Sequence, residues 1–356
     1  MKADYHRPPI RVALLGLGRA MFEEHYPIFK AHPGLFKVVA ACDLIKERRD
    51  MVAADYPNCR MFRRYSDLLD ERDIDLVDIS TCTVDHVEHA VASLNKGYWT
   101  LLESPMALTF DDAQLLRGCA MKAKNRLIVM NRGLFAPDFL LAKSVLNDPR
   151  LGEIYQIRIR REDYIRRDDW QAVKRLGGGA AYYAMPDLML QALKMLPLPP
   201  IQMWSELKRV ASLGDAEDCA SVCLKTRGSV SVDIEFNGGV LPSLRSPSFT
   251  IRGERGEFRV QPGAAEGVLT VVDPSFSFPR RRSSVRTPEL VDLHETFPVV
   301  DIPVSLPGNT EYGPAAFWRH VYDTVRTAAP FPLALEDAIE AVKFSHLMKK
   351  TSPFGK

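Results

Sequence analysis

The chain has 356 residues, 46% hydrophobic and 26% charged, and its 47 basic and 45 acidic side chains leave a net charge of +2. That is the composition of a globular protein of one large or two ordinary domains, and its balanced charge offers no general attraction for nucleic acid or an anionic membrane. No apolar run reaches the roughly 18 residues of a spanning helix, the opening residues hold no stretch of signal-peptide length, and no C-x-x-C pair occurs, so a cytoplasmic protein with reduced thiols and no metal centre is expected.

Ile10–Leu15 is mostly apolar, like a strand buried on both faces. Gly16, Leu17 and Gly18 break the run, and Phe22, Tyr26 and Phe29 then follow at helical spacing. In this context Gly16 allows a tight turn. Gly18 lets the backbone approach a pyrophosphate seated on the helix N-terminus. Met21 holds the place of the third glycine of G-x-G-x-x-G, so the fingerprint is partial. A second short apolar run, 36–42, ends at Asp43, about 22 residues beyond the turn. An acidic group there accepts hydrogen bonds from the ribose hydroxyls of NAD and repels the extra phosphate of NADP. NAD is therefore the expected cofactor and NADP the lesser one.

Strands and helices keep alternating: a helix at 46–55, strand 75–80, helix 84–95, strand 98–102, a helix opened by Thr109 with Asp112 as its capping-box partner, and strand 127–130. This pattern predicts a Rossmann-type, doubly wound parallel sheet. Ligands of such sheets sit beyond the carboxyl ends of the strands, here Gly16, Asp43, Ser80, Thr81, Glu103 and Asn131. From Phe135 the pattern changes. A helix at 136–146 leads to an alternating strand at 151–163. Further strand-like runs follow at 201–212, 219–226, 229–236, 247–252 and 255–260. They predict an α+β domain with an open, mainly antiparallel sheet. Residues 274–307, with Arg280, Arg281 and Arg282, read as an irregular surface excursion, and helices at 315–328 and 335–349 close the chain. The expected division is a dinucleotide-binding domain at 1–132 and a substrate and oligomerisation domain at 133–356, whose last helices can pack back on the first. The uncovered sheet face predicts a homo-oligomer, dimer or tetramer.

Taken together, these segments resemble the Gfo/Idh/MocA oxidoreductases, named after glucose–fructose oxidoreductase and inositol dehydrogenase. The marks are GLG at 16–18, ISTCTVDHVEHA at 79–90, ESP at 103–105, NRGLFAP at 131–137, DW at 169–170, LGGGA at 176–180 and IRGERGEF at 251–258. The resemblance implies an NAD(P)-binding domain and hydride transfer to or from a sugar, polyol or related hydroxy compound. With the strand ends it gives an expected cofactor shell of Gly16, Gly18, Arg19, Ala20, Asp43, Ser80, Thr81, His86, Glu103, Asn131 and Arg132. The proton-moving positions depart from the family. Ser104 replaces the lysine of its E-K-P motif, Tyr183 stands where it has an aspartate, and Asp187 where it has a histidine; Cys82 replaces a proline.

Oxidising an alcohol needs a base for the hydroxyl proton, a contribution of about 10²–10⁴ in rate. Ser104 is uncharged and does not ionise near neutral pH. Tyr183, with Asp187 orienting the substrate, is the first candidate for the proton. Lys174 is a possible substitute ammonium from another direction. Pro186 is tolerable only in a first turn, so the helix starts near Ala184 or kinks there. Tyr164, Trp170, Lys174 and Tyr183 are the expected substrate contacts, in a basic segment suited to an anionic sugar or a sugar stacked on an aromatic ring. Two alternatives stand beside a net dehydrogenase: an enzyme that retains NAD while eliminating or hydrolysing a glycoside, and a non-catalytic NAD-binding sensor or subunit.

Overall fold

The computed structural model describes residues 7–197, 199–228, 230–278, 296–352 and 354. The first sheet holds β1 (Ile10–Leu15), β2 (Phe36–Cys42), β3 (Arg60–Phe62), β4 (Leu76–Ile79), β5 (Trp99–Leu102) and β6 (Leu127–Val129). All pairs are parallel and the order is β3-β2-β1-β4-β5-β6. The order reverses between β1 and β4, so the ligand crevice of this Rossmann sheet lies there. Helices α1 (Tyr26–Ala31), α2 (Lys46–Asp55), α3 (Tyr65–Leu69), α4 (His86–Asn95) and α5 (Phe110–Lys122) cover its faces. The cap expected at α5 forms: Thr109 Oγ1 accepts from the Asp112 N–H at 3.1 Å and donates to the Asp112 carboxylate at 2.7 Å.

Helix α6 (Pro137–Ser144) leads into the second sheet. Its strands are β7 (Ile154–Glu162), β8 (Pro200–Lys208), β9 (Cys219–Thr226), β10 (Ser231–Asn237), β11 (Phe249–Gly253), β12 (Gly256–Val260), β13 (Glu266–Val272) and β14 (Val299–Ser305). The order is β14-β13-β12-β11-β7-β10-β9-β8, with β7 and β10 parallel and the other pairs antiparallel. Two of these strands were not expected. β14 lies inside the stretch read as irregular; it is an edge strand, which tolerates Pro303. Arg280, Arg281 and Arg282 lie outside the described residues.

One face of the second sheet (Ile157, Ile159, Val232, Ile234, Phe236, Ile251, Phe258) packs on α6 and on two further helices, α7 (Ala180–Tyr183) and α8 (Met185–Met195). The other face carries a ladder of ion pairs, Arg158–Asp233, Arg160–Glu235 and Arg252–Glu257, with Trp204 59% exposed beside it. It is thus a polar face with one exposed tryptophan. The closing helices do pack back on the first sheet. Phe317, Trp318 and Val321 of α9 (Gly313–Thr327) join a core with Ile10, Leu14 and Phe36. In α10 (Leu335–Thr351), Ile339 and Val342 pack beside Leu116 and Leu127, whereas Phe344 and Met348 enter the second core. Among the described residues no helix is long and apolar enough to cross a membrane.

Candidate active site

The glycine turn is built by close packing. Gly16 has φ +89° and its N–H donates to the Cys42 carbonyl at 2.9 Å. A Cβ there would stand 2.6 Å from the Ser80 carbonyl oxygen and 2.8 Å from Thr81 Cγ2, so only glycine fits. At Gly18 the nearest atom would be 4.0 Å away, which leaves its backbone open to a ligand. The chain then forms a π-type turn at Met21–His25, where the Tyr26 N–H donates to the Met21 carbonyl, before α1 begins. Met21, at the place of the third glycine, is fully buried in the core. The Asp43 carboxylate accepts from the Leu17 N–H and the Ile45 N–H, each at 2.8 Å, and Arg48 stands 3.5 Å from it. It ties the end of β2 to the glycine turn. A turn with no Cβ, an open backbone and a carboxylate at the end of β2 suit a dinucleotide.

A cavity of about 310 Å³ opens beside this turn. One wall is the first domain: Gly18, Arg19, Ala20, Ser80, Thr81, His86, Glu103, Ser104 and Arg132. The facing wall comes from the second domain: Arg161, Arg167, Asp169, Trp170, Tyr183 and Asp187. Asn131 lies beneath it. Its Oδ1 accepts from the Leu134 N–H at 3.3 Å and its Nδ2 donates to Asp187 at 2.7 Å, joining the two walls. The other Asp187 oxygen is 4.0 Å from Arg161. Burial raises the Asp187 pKa, against the pull of Arg161 and Arg132. His86 is buried with Nδ1 2.9 Å from the Pro105 carbonyl and Nε2 3.1 Å from that of Thr81. It pins the Thr81 turn to the Ser104 loop, and burial lowers its pKa.

Tyr183 and Asp187 both line the cavity, but not from one helix. Helix α7 ends at Tyr183, the backbone breaks at Ala184, and Pro186 sits in the first turn of α8. The Tyr183 ring packs edge-on to Phe236, and the Arg167 guanidinium lies 4.7 Å over it. Burial pushes its phenol well above its ordinary pKa, despite Arg167. The structure thus places Tyr183 on the cavity wall as a buried phenol whose raised pKa favours the protonated form, able to donate and to accept a hydrogen bond. Lys174 does not line the cavity. Its Nζ donates to the Phe354 carbonyl at 2.6 Å and lies 4.3 Å over the Phe354 ring, outside the cavity. Tyr164, 47% exposed and bridged to Gly239, also lies outside it, whereas Trp170 lines it.

Glu24, Arg161, Arg167 and Asp169 also line the cavity and were not among the expected site residues. The expected Arg132 is ion-paired with Glu24 at the cavity edge, and its Nη2 lies 3.8 Å from the expected Glu103. His25, fully buried, bridges Asp78 and Glu103. The sequence does carry one signal for this: Asp78 interrupts a strand buried on both faces, and a carboxylate there needs a partner.

Residues 10–131 match the family described as oxidoreductase family, NAD-binding Rossmann fold, and residues 139–259 match the GFO/IDH/MocA C-terminal domain. An uncharacterized oxidoreductase of Schizosaccharomyces pombe is 30% identical over 257 residues, covering 70% of each chain. The scyllo-inositol 2-dehydrogenase (NADP(+)) IolW of Bacillus subtilis is 21% identical over 355 residues, 96% of this chain and 94% of that one. Among solved structures, the WlbA dehydrogenase of Chromobacterium violaceum in complex with NADH and UDP-GlcNAcA has the same fold, with a TM-score of 0.75 at 18% identity, over 97% of this chain and 94% of that one. The Rossmann turn, the mixed second sheet and a sequence match to both halves agree: the chain belongs to the Gfo/Idh/MocA family of NAD-binding oxidoreductases.

Proposed function

We propose that the protein transfers a hydride between NAD and a small sugar- or polyol-like hydroxy compound, using an acid–base set different from the one the family resemblance implies. The observation that carries this reading is the cavity itself. It runs from the glycine turn, Ser80 and Thr81 on one wall to Trp170, Tyr183 and Asp187 on the other. Bound NAD would supply the hydride acceptor. Asp43 receives its ribose hydroxyls and favours NAD over NADP. Ser104 offers a hydroxyl but no charge. Tyr183 donates to the substrate oxygen, Asp187 orients neighbouring hydroxyls, Trp170 offers a stacking face, and Arg161 and Arg167 make the pocket receptive to an acidic sugar. The domain boundary near residue 132 puts each wall on its own domain. The relatives named above support the substrate class, IolW by a polyol and WlbA by a nucleotide-linked sugar acid.

The experiment is net NADH formation with myo-inositol, glucose and glucuronate, in wild type and Tyr183→Phe. Loss of a donor to the reacting oxygen should lower turnover by about 10²-fold at nearly unchanged NAD affinity. Product without net NADH would mark a cofactor-retaining lyase or hydrolase. Dinucleotide binding with no chemistry on any compound would mark a sensor or subunit.

A further inference from the structure

The first sheet carries a charge in an apolar row. Asp78 lies in β4, paired with Leu14 of β1 and Leu101 of β5, and the core around them contains Leu76, Met21 and Trp318. Asp78 and His25 are both 0% exposed. An isolated carboxylate is strongly disfavoured there, and an apolar side chain of similar volume would pack as well or better. Its partner is His25, the last residue of the π-type turn, a feature often found at functional sites. Nδ1 is 2.8 Å from Asp78 Oδ2 and Nε2 is 2.8 Å from Glu103 Oε1. Asp78 Oδ1 has no hydrogen-bond partner among the described residues. Glu103 Oε2 accepts from the Ser104 N–H at 3.1 Å. Of the three groups only Glu103 reaches the cavity.

We propose that Asp78, His25 and Glu103 form a buried proton chain in which Glu103 takes the substrate hydroxyl proton, doing the work of the lysine that Ser104 replaces. The inference rests on the hydride transfer proposed above. A neutral imidazole donates from one ring nitrogen only, yet both nitrogens face carboxylate oxygens. The two hydrogen bonds therefore hold two protons between them. Either an imidazolium sits between two carboxylates, or a neutral ring sits between a carboxylate and a carboxylic acid. Both forms leave one net negative charge in a dry setting. Burial draws the His25 ring down, but Asp78 and Glu103 outweigh it and hold its pKa at about 10; burial raises Asp78. The chain keeps both protons at neutral pH and places a carboxylate at the cavity edge.

In the oxidation direction the substrate O–H bond breaks and its proton goes to Glu103. The electron pair of that bond forms the C=O bond as the hydride leaves the carbon for the dinucleotide, and Glu103 later releases its proton to water. Reduction runs the same steps in reverse. Glu103 is the catalytic residue; His25 and Asp78 are positioning residues. The other charged or titratable groups facing the chain are Arg132, with its partner Glu24, and, at longer range, Asp187 and His86; Trp318 faces the His25 ring from α9.

The test needs no substrate. NAD⁺ carries a ring charge that NADH lacks, so a chain with a negative charge favours NAD⁺ and a discharged one does not. Calorimetric affinities for NAD⁺ and NADH are measured from pH 5 to pH 9 in wild type, Glu103→Gln and His25→Gln. The NAD⁺ to NADH affinity ratio should be lower in Glu103→Gln than in wild type, because the carboxylate at the cavity edge is gone. In His25→Gln, which keeps both carboxylates, the ratio should stay at least as high as in wild type. Should His25→Gln fail to fold, ¹⁵N-histidine NMR of wild type and Glu103→Gln serves instead: His25 should hold both ring protons at pH 8 in wild type and lose one in the variant. An unchanged NAD⁺ to NADH affinity ratio in Glu103→Gln, or a His25 ring with only one proton at pH 8 in wild type, would overturn the proton chain and leave the proposed function standing. Failure of wild type to bind either dinucleotide would overturn both.

Discussion

The wall of the cavity that carries Tyr183 is held by a buried ion pair, and breaking it on one side should unfold that wall first. Glu217 is 0% exposed as a side chain and accepts from Lys349 Nζ of α10 at 2.6 Å. Its Oε1 also accepts from the Ala181 N–H at 3.2 Å, and its backbone carbonyl from the Ala180 N–H at 2.9 Å. The first turn of α7 is thus capped by Glu217, and α10 is stapled beside it. Burial lowers the Lys349 pKa while Glu217 raises it, so each charge depends on the other. Lys349→Met leaves a carboxylate buried without its cation, which costs about 3–5 kcal/mol. At about 2.1 cal/mol/K per residue for 356 residues, that is a fall in Tm of about 4–7 °C. The double variant Glu217→Gln, Lys349→Met removes both charges and should recover most of the loss. Calorimetric melts of the four proteins decide it. A double variant no more stable than Lys349→Met would refute the reasoning, because it would show that packing, not an orphaned charge, sets the penalty.

Other perturbations probe the cofactor site and the buried charges. Gly16→Ala forces a Cβ to φ +89°, at about 1–2 kcal/mol, and onto the Ser80 carbonyl, so NADH affinity by fluorescence titration should fall by about tenfold or more. NADH should bind more tightly than NADPH, and Asp43→Ala should narrow the difference; tighter NADPH binding by wild type would show that Arg48 governs the choice. His25 has a folded pKa of about 10, above its unfolded value of about 6.5. Its contribution is therefore complete below about pH 6.5 and is lost as pH rises toward 10. Urea titrations should show stability declining between those limits in wild type and much less in His25→Gln. Self-association is expected through the open face of the second sheet; because that face is an ion-pair ladder around Trp204, high salt should weaken the assembly in sedimentation.

Much of this was readable from local pattern. Gly16, Gly18 and Asp43 announce themselves because a turn without a Cβ and a carboxylate at a strand end are short-range signals. Thr109 and Asp112 do so for the same reason. Pro186 marked the helix break correctly because its restriction acts on its own backbone. What escaped is set by distance along the chain. Lys174 reads as a free ammonium until Phe354, 180 residues later, turns out to hold it. His25, Asp78 and Glu103 come from three segments that meet only because β1, β4 and β5 are neighbours. Strand β14 escaped because its register partner β13 lies across a Pro-, Ser- and Arg-rich stretch, and its exposed edge shows no clean alternation. Nor does the sequence show that Phe236 and Arg167 close over the Tyr183 ring.

The central claim is that this cavity carries out hydride chemistry and does not merely hold a dinucleotide. Its most direct test is absorbance at the NADH band with NAD and the three hydroxy compounds named above. Net NADH formation is expected with at least one of them, with turnover at saturating NAD reduced by about two orders of magnitude in Glu103→Gln. Tight NAD binding with no NADH formed from any of the three would contradict it; turnover undiminished in Glu103→Gln would contradict only the role given to Glu103.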